Sequence, residues 1–139
     1  MYMTNKHQEN LKLKKILINY TNHPSAKWTG DQAAAAFEKW SSVIDIPFPQ
    51  VEPEWNEADV TACFDLFLSE VQGRLTSLGV AESDAEFLIM GEFRYTFYAV
   101  RTLKERGHRV YAHAGKREVE VVDNKSIYTF RFGRFVEYF

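Results

Sequence analysis

The sequence predicts an α/β fold in which a mostly parallel sheet carries helices on both faces and ends in an antiparallel β-hairpin. Short apolar runs without charges, typical of strands buried on both faces, alternate with longer segments of helical spacing. After residue 117 this alternation stops, and two segments of period two flank a turn at Asp123–Lys125. Strands joined in series through helices are parallel and are connected by right-handed crossovers.

Length and composition indicate one globular domain. The 139 residues carry a net charge of −2, which fits a single domain over residues 14–139 after a flexible polar lead-in over residues 1–13. The small negative charge argues against binding to long nucleic acids, which requires a basic face. The one cysteine, Cys63, cannot form an internal disulfide, and no apolar run reaches the length of a membrane span. We therefore expect a cytoplasmic protein without a membrane partner.

Four strands and three helices are expected before the hairpin. The strands are predicted at residues 14–20, 42–46, 87–90 and 109–113. The helices are predicted at residues 30–40, 57–78 and 93–106. Thr29 and Asn56 are expected to cap the first two helices, and Gly79 and Gly107 to end the last two. The buried edge of the first helix is expected at Ala33, Phe37 and Trp40.

The hairpin is predicted from residues 118–122 and 126–132, joined by the turn at residues 123–125. Tyr128, Phe130 and Phe132 alternate with polar residues, as in a strand with one apolar face. The aromatic run that continues to Phe139 is expected to form core or a dimer interface rather than a base-stacking platform.

A candidate site is expected at one edge of the sheet. Open α/β sheets bind ligands in the crevice outside the carboxyl ends of their strands. Three loops, at residues 21–28, 91–94 and 113–117, are predicted to converge there. Gly91 follows an apolar strand and precedes a helix, so it would allow close backbone approach beside unpaired helix N–H groups.

His23 is the first candidate catalytic residue. Pro24 restricts its backbone to extended geometry and thereby helps to orient the imidazole. An imidazole at a strand end is suited to proton transfer or phosphate binding, because it titrates near neutral pH. The alternative is a loop histidine bonded to solvent or to the backbone.

Polar residues near His23 and Gly91 are candidate ligand-binding residues. In the first loop they are Thr21, Asn22, Ser25 and Lys27. These residue types suit a ribose, a phosphate or a base, but they are also common in turns. In the second loop they are Gly91, Glu92, Phe93 and Arg94. Glu92 either contacts a ribose hydroxyl or complements the helix dipole, and Arg94 either holds a phosphate or is an ordinary exposed arginine.

A basic cluster follows the fourth predicted strand. Lys116 and Arg117 would neutralise phosphate if this segment forms a turn at the sheet edge. The alternative is a solvated turn that leads into the hairpin. Because they could neutralise phosphate, Lys116 and Arg117 are candidate catalytic residues together with His23. His113 is a candidate ligand-binding residue.

Motifs for metals, nucleotide cofactors and activated nucleophiles do not occur. One cysteine and four histidines give no metal-ligand spacing. There is also no Walker A sequence, no G-x-G-x-x-G and no G-x-S-x-G. We therefore expect neither a metal nor a cofactor, and any catalysis would depend on positioned polar groups and cations.

Three motifs resemble those of small Csx-type accessory proteins of type III CRISPR systems, particularly the ring-nuclease group with a Rossmann-like fold. They are Asn22-His23-Pro24, Met90-Gly91-Glu92-Phe93, and the segment from Val110 to Tyr138 with its basic residues and Phe-x-x-Phe/Tyr tail. The similarity spans roughly residues 15–138. Met90 stands where that group has glutamine, and Ala114-Gly115 replaces a turn containing threonine.

The resemblance implies a Rossmann-like domain that binds a cyclic oligoadenylate second messenger, expected to be cyclic tetra-adenylate, across a homodimer and cleaves it without metal. His23 would then serve in acid–base catalysis or orient the ribose 2′-hydroxyl. Lys116, Arg117 and Arg94 would hold phosphate, and Gly91 and Glu92 would contact ribose or backbone. The alternatives are a non-catalytic sponge or sensor of the same messenger, and an unrelated Rossmann-like nucleotide- or protein-binding module.

Overall fold

The computed structural model describes residues 15–139, which form a five-stranded sheet and three helices. The strands are β1 (Ile16–Thr21), β2 (Ser42–Asp45), β3 (Ala85–Met90), β4 (Val110–Val122) and β5 (Lys125–Glu137). The helices are α1 (Gly30–Lys39), α2 (Glu57–Leu78) and α3 (Phe93–Glu105). The predicted lead-in over residues 1–13, and Lys14 of the predicted first strand, lie outside the described residues.

The order of the strands across the sheet is β2-β1-β3-β4-β5. β1 pairs in parallel with β2 on one side and with β3 on the other, and β4 pairs in parallel with β3. β5 is antiparallel to β4. The predicted α/β class, the mostly parallel sheet and the antiparallel C-terminal pair are therefore confirmed. Among the helices of residues 15–139, none has both the length and the apolar character that crossing a bilayer requires.

Side chains that alternate along the strands form two apolar clusters, one on each face of the sheet. On one face, Ile18 and Phe87 pack with residues of α2 and α3. On the other face, Leu17 packs with Trp40 at the end of α1 and with Phe135 of β5. Helices thus lie on both faces, and β5 contributes to the second cluster.

The structure corrects the prediction for residues 113–117. These residues do not form a basic turn but continue β4, which runs without a break to the hairpin turn. Asp123 and Asn124 both have positive φ, 51° and 61°, as in the two-residue turns whose twist matches that of the paired strands. The strands can therefore stay paired along the whole hairpin, with one irregularity at Ala114–Gly115.

The buried edge of α1 also differs from the prediction. Gln32, Ala36 and Trp40 are buried, whereas Phe37 is 73% exposed. Residues four apart lie on one side of a helix, while Phe37 is turned about 100° away from Ala36. The four consecutive alanines, Ala33 to Ala36, place apolar side chains on every side of this helix, so they do not indicate which edge faces the sheet.

Two buried tyrosine hydroxyls connect β1 to α3 across the core. Tyr20 and Tyr95 are almost inaccessible to solvent, and their hydroxyl oxygens are 2.7 Å apart. The ring of Phe67 stacks on Tyr20 with 3.7 Å between the ring centroids. Burial raises the pKa of both tyrosines above the usual range, so both stay neutral. Each hydroxyl therefore needs a partner inside the core.

We expect Tyr95→Phe to lower the free energy of unfolding by about 1–3 kcal/mol, because the Tyr20 hydroxyl is left buried without its partner. The double variant Tyr20→Phe/Tyr95→Phe should lose less than the sum of the two single variants, since no unpaired hydroxyl remains. Urea unfolding followed by circular dichroism measures all three losses. Strictly additive losses would show that the two hydroxyls do not depend on each other.

Candidate functional site

The candidate site lies where β1 and β3 end side by side. β2 adjoins one side of β1 and β3 the other, so the strand order reverses at this point. Open α/β sheets form their binding crevice at such a reversal. Thr21 and Met90 are register partners at the two strand ends. Residues 22–29 lead from β1 to α1, and Gly91–Glu92 lead from β3 to α3.

A buried asparagine organises the end of β1. Asn19 is 1% exposed, and its side-chain amide donates to Asp45 Oδ1 at 2.7 Å and to the His23 carbonyl at 2.9 Å. The Thr21 hydroxyl donates to Asn19 Oδ1 at 2.9 Å. The amide is thus bonded through both its nitrogen and its oxygen, which offsets the cost of burying it. Thr21, predicted as a ligand-binding residue, lies inside this network.

Asp45, at the end of β2, was not among the predicted site residues. Its Oδ1 accepts from the Ser25 backbone N–H at 3.0 Å, and its Oδ2 accepts from the Ser25 hydroxyl at 2.7 Å. The carboxylate therefore holds the short 3-10 turn over residues 25–27 against the sheet. The sequence contained one signal for Asp45, an acidic residue at the end of a second strand. That Asp45 pairs with Asn19 follows only from the strand order and register.

The backbone of His23 is fixed while its side chain is exposed. Its carbonyl accepts from the Asn19 amide and from the Trp28 indole N–H, the latter at 3.1 Å. Its own N–H donates to the Thr21 hydroxyl at 3.2 Å. The Trp28 ring also packs on Phe135, with 6.0 Å between the ring centroids. The imidazole therefore projects from an anchored loop into solvent.

A second histidine approaches this edge from β4. The backbone N–H of His113 donates to Met90 Sδ at 3.3 Å, beside the end of β3. Its half-buried ring packs on Phe130 at 5.2 Å between ring centroids, and Nδ1 has no hydrogen-bond partner among residues 15–139. Burial lowers the pKa of His113 below its usual range, and the charge of His23 lowers it further. The end of β3 lies between the two histidines, since Met90 contacts His113 on one side and is the register partner of Thr21 on the other.

Gly91 lies at the predicted strand-to-helix turn, but the space beside it is filled. A Cβ at this position would overlap the ring of Phe48. Phe48 is itself buried against Tyr20 and Tyr95. The packing of Phe48 is thus sufficient to require glycine here, and contact between Gly91 and a ligand remains a prediction.

The Arg94 guanidinium and one carboxylate oxygen of Glu92, Oε1, are occupied by contacts within the protein, whereas Glu92 Oε2 has no hydrogen-bond partner among residues 15–139. Glu92 caps α3, because its Oε1 accepts from the Arg94 backbone N–H at 2.8 Å. The Arg94 guanidinium donates to that oxygen and to the carbonyls of Trp55 and Glu52, at 2.8 Å and 3.1 Å. Partial burial alone would raise the pKa of Glu92, but the Arg94 donors outweigh it and the pKa is lowered. Binding of phosphate by Arg94 would require these bonds to break.

The remaining predicted site residues lie on three different elements: the loop after β1, the start of α3 and the β4–β5 hairpin. Asn22 and Lys27 are exposed on the His23 loop. Phe93 lines a shallow apolar cleft along α3 together with Phe139. The paired strands of the hairpin carry Lys116 and Arg117 beyond His113, and the Arg117 guanidinium lies over the Tyr128 ring at 5.6 Å.

The structure thus brings Thr21, His23, Ser25 and His113 together at one edge of the sheet, with Asp45 supporting the loop. No group of three or more His, Cys, Asp or Glu side chains suited to a metal ion occurs within residues 15–139.

Comparison with known proteins gives one result. The model of the family described as the uncharacterized protein MJ1673 family matches residues 15–136. No curated protein and no solved structure matches the chain significantly.

We expect Gly91→Ala to lower the free energy of unfolding by about 1–3 kcal/mol, because the added methyl group overlaps the packed ring of Phe48. Gly73→Ala is the control, since a Cβ there meets no atom within 4 Å. In the middle of α2 this control should raise stability by about 0.5–1 kcal/mol. Thermal unfolding compares the two variants. If Gly91→Ala were neutral, packing would not be the reason for this glycine.

We expect the His113 imidazole to titrate below about pH 6.5, the ordinary histidine value, in a proton–carbon NMR titration. His23→Gln should move this midpoint upward, because it removes the nearby positive charge. His108→Gln is the control, since His108 contacts Glu82 at the opposite edge of the sheet. Because folding disfavours protonated His113, its contribution to stability is present above about pH 6.5 and is lost as the pH falls. An unchanged midpoint in His23→Gln would show that the imidazoles do not interact.

Proposed function

The chain belongs to the uncharacterized protein MJ1673 family, and we propose that it is a ring nuclease that binds and cleaves a cyclic oligoadenylate in type III CRISPR defence. The observation that carries the proposal is that His23, on the loop after β1, and His113, on β4, flank the end of β3, where Met90 contacts His113 and is the register partner of Thr21. The motifs Asn22-His23-Pro24 and Met90-Gly91-Glu92-Phe93 lie at the ends of these two strands. The ligand class itself comes from the resemblance of these motifs.

Two imidazoles in different environments suit cleavage of a phosphodiester by its neighbouring 2′-hydroxyl. A 2′-O–P bond forms, the P–O5′ bond breaks, and the products are a 2′,3′-cyclic phosphate and a free 5′-hydroxyl. One group must accept the 2′-hydroxyl proton, and another must donate a proton to the leaving O5′. Burial favours the neutral form of His113, so His113 is assigned as the base. The exposed His23 is assigned as the acid.

The anchored loop supports this assignment. Asn19, Trp28 and Asp45 hold the backbone around His23, so the point from which the imidazole projects is fixed before the ligand arrives. Positioning of reacting groups supplies a large part of the rate enhancement in such reactions. Ser25 and Thr21 are bonded within the network, and we assign them to the support of the loop rather than to direct catalysis.

Cations are assigned to the phosphates. Lys27, on the His23 loop, and Lys116 and Arg117, on the hairpin, are exposed. A ring of several phosphates extends beyond one pair of imidazoles, so cations at a distance from His113 can contact its other phosphates. A two-fold symmetric ring also suits a homodimer. We further propose that the sheet is a Rossmann-like variant and that the protein acts in the cytoplasm.

A non-catalytic sponge or sensor is the second candidate function. The internal bonds of Arg94, and of Thr21 and Ser25, favour it, because fewer groups remain to stabilise the charge that develops during cleavage. Such a protein would bind the same messenger at the same crevice without breaking it.

We expect the protein to convert cyclic tetra-adenylate to linear products in the presence of EDTA, as measured by chromatography. His23→Ala should lower the turnover rate by about 100-fold or more while changing ligand affinity little, because a general acid contributes mainly in the transition state. His108→Ala, which removes an imidazole at the opposite edge of the sheet, is the control for the loss of a histidine away from the site. Tight binding without products would support the sponge. The absence of both would leave an unrelated nucleotide- or protein-binding module.

A further inference from the structure

The pairing of β4 with β5 is interrupted at one place by an extra residue on β5. Ala114 is the register partner of Arg134. Gly115, the next residue of β4, is the register partner of Phe132, so Gly133 has no partner. Such an insertion is a β-bulge, and because side chains alternate along a strand, it moves those beyond it to the other face. The bulge therefore sets which residues of β5 face the candidate site.

Two glycines make this bulge possible. A Cβ at Gly133 would lie 2.8 Å from the carbonyl oxygen of Ala114. A Cβ at Gly115 would overlap the carbonyl of Arg131 and the ring of Phe130. Neither position can therefore take a side chain unless the paired strands shift. The close approach of the two strands at the bulge thus requires glycine on both of them.

The bulge places Phe135, rather than Arg134, opposite His113. If the pairing of the outer hairpin continued without the extra residue, Arg134 would lie opposite His113. With the bulge, Arg134 is exposed and Phe135 is the register partner of His113. Directly opposite residues of an antiparallel pair share a face, with Cβ atoms about 4.5–5.5 Å apart. A buried ring therefore takes the place beside His113 that a guanidinium would otherwise take.

Phe135 also contacts the residue that holds the His23 loop. It is 7% exposed, and its ring centroid is 6.0 Å from that of Trp28. The Trp28 indole N–H donates to the His23 carbonyl at 3.1 Å. A displacement of the Trp28 ring would therefore weaken this bond and release the backbone of His23. One buried ring is thus connected with both histidines, with His113 through strand pairing and with His23 through Trp28.

We propose that Phe135 is a positioning residue that fixes the two histidines relative to each other. The inference rests on the proposed function, in which an acid on the loop and a base on β4 act on the same phosphodiester. Reacting groups on separate elements act together only when those elements are held at a fixed separation. Phe135 is buried in the apolar cluster on this face of the sheet, so it acts through Trp28 and His113 and not on the ligand itself.

Phe132 offers a matched comparison on the same strand. It is 8% exposed, belongs to the same apolar cluster, and packs on Phe135 with 5.0 Å between the ring centroids. Its register partner is Gly115 rather than a histidine. A loss of apolar volume at Phe132 therefore disturbs the same cluster but leaves the connection between His113 and Trp28 in place. An effect found only at Phe135 must come from that connection.

The test compares Phe135→Leu with Phe132→Leu in the full chain, by NMR and by turnover of cyclic tetra-adenylate. In Phe135→Leu, the Trp28 indole N–H should exchange with solvent several times faster than in wild type, because its bond to the His23 carbonyl is formed less of the time. Turnover should fall by about tenfold or more with little change in KM, since misplacement of the acid and the base acts on the transition state. Phe132→Leu should keep the exchange rate and the turnover of wild type.

Circular dichroism and thermal unfolding verify that both variants fold. Phe135→Met fills a similar volume with a flexible chain and repeats the test if Phe135→Leu does not fold. Unchanged indole exchange in the Phe135 variants, or an equal change in Phe132→Leu, would overturn the inference. So would faster exchange with unchanged turnover. A wild-type protein that leaves cyclic tetra-adenylate intact would refute only the cleavage chemistry, and the exchange rates would still show whether Phe135 holds the His23 loop.

Discussion

The arrangement of the candidate site depends on the hydrogen bond between Asn19 and Asp45. Asn19 is 1% exposed, and a buried amide without partners would cost on the order of 1–3 kcal/mol. Asp45 supplies the acceptor from the matching register position on β2. The same carboxylate also accepts from Ser25. The buried amide of Asn19 needs a partner, and the residue that supplies it also fixes the loop that carries His23. The loop therefore gains its order from the core rather than from a ligand.

This arrangement separates the support of the site from its chemistry. The polar groups of Asn19, Thr21 and Asp45 are used within the protein, so they hold the backbone of His23 and leave its imidazole free. His113 is held differently, by a regular strand and by the ring of Phe130. One imidazole is exposed and the other is half-buried. When two titratable groups lie in such different environments, one can be protonated while the other is neutral, and the two can then act as acid and base.

Local patterns were sufficient for much of the fold. Asn56 caps α2 through reciprocal bonds with Asp59, and Gly79 ends that helix in a left-handed conformation. Both features involve residues within one turn of the helix end, so the local sequence is sufficient to predict them. The part of the site that was missed depends on strand order, which no local pattern contains. Asp45 becomes a partner of Asn19 only when β2 lies beside β1. The continuation of β4 was missed because the strand beyond His113 has no buried face, so its residues read as a solvated turn.

The hairpin formed by β4 and β5 meets the candidate site at Phe130. Gly115 has no side chain, which leaves room for the Phe130 ring to lie over the strand and reach His113. Phe130 is therefore half exposed on the hairpin and also forms the wall beside the imidazole. The ring of Phe130 thus contributes to the burial that lowers the pKa of His113 and favours its neutral, proton-accepting form.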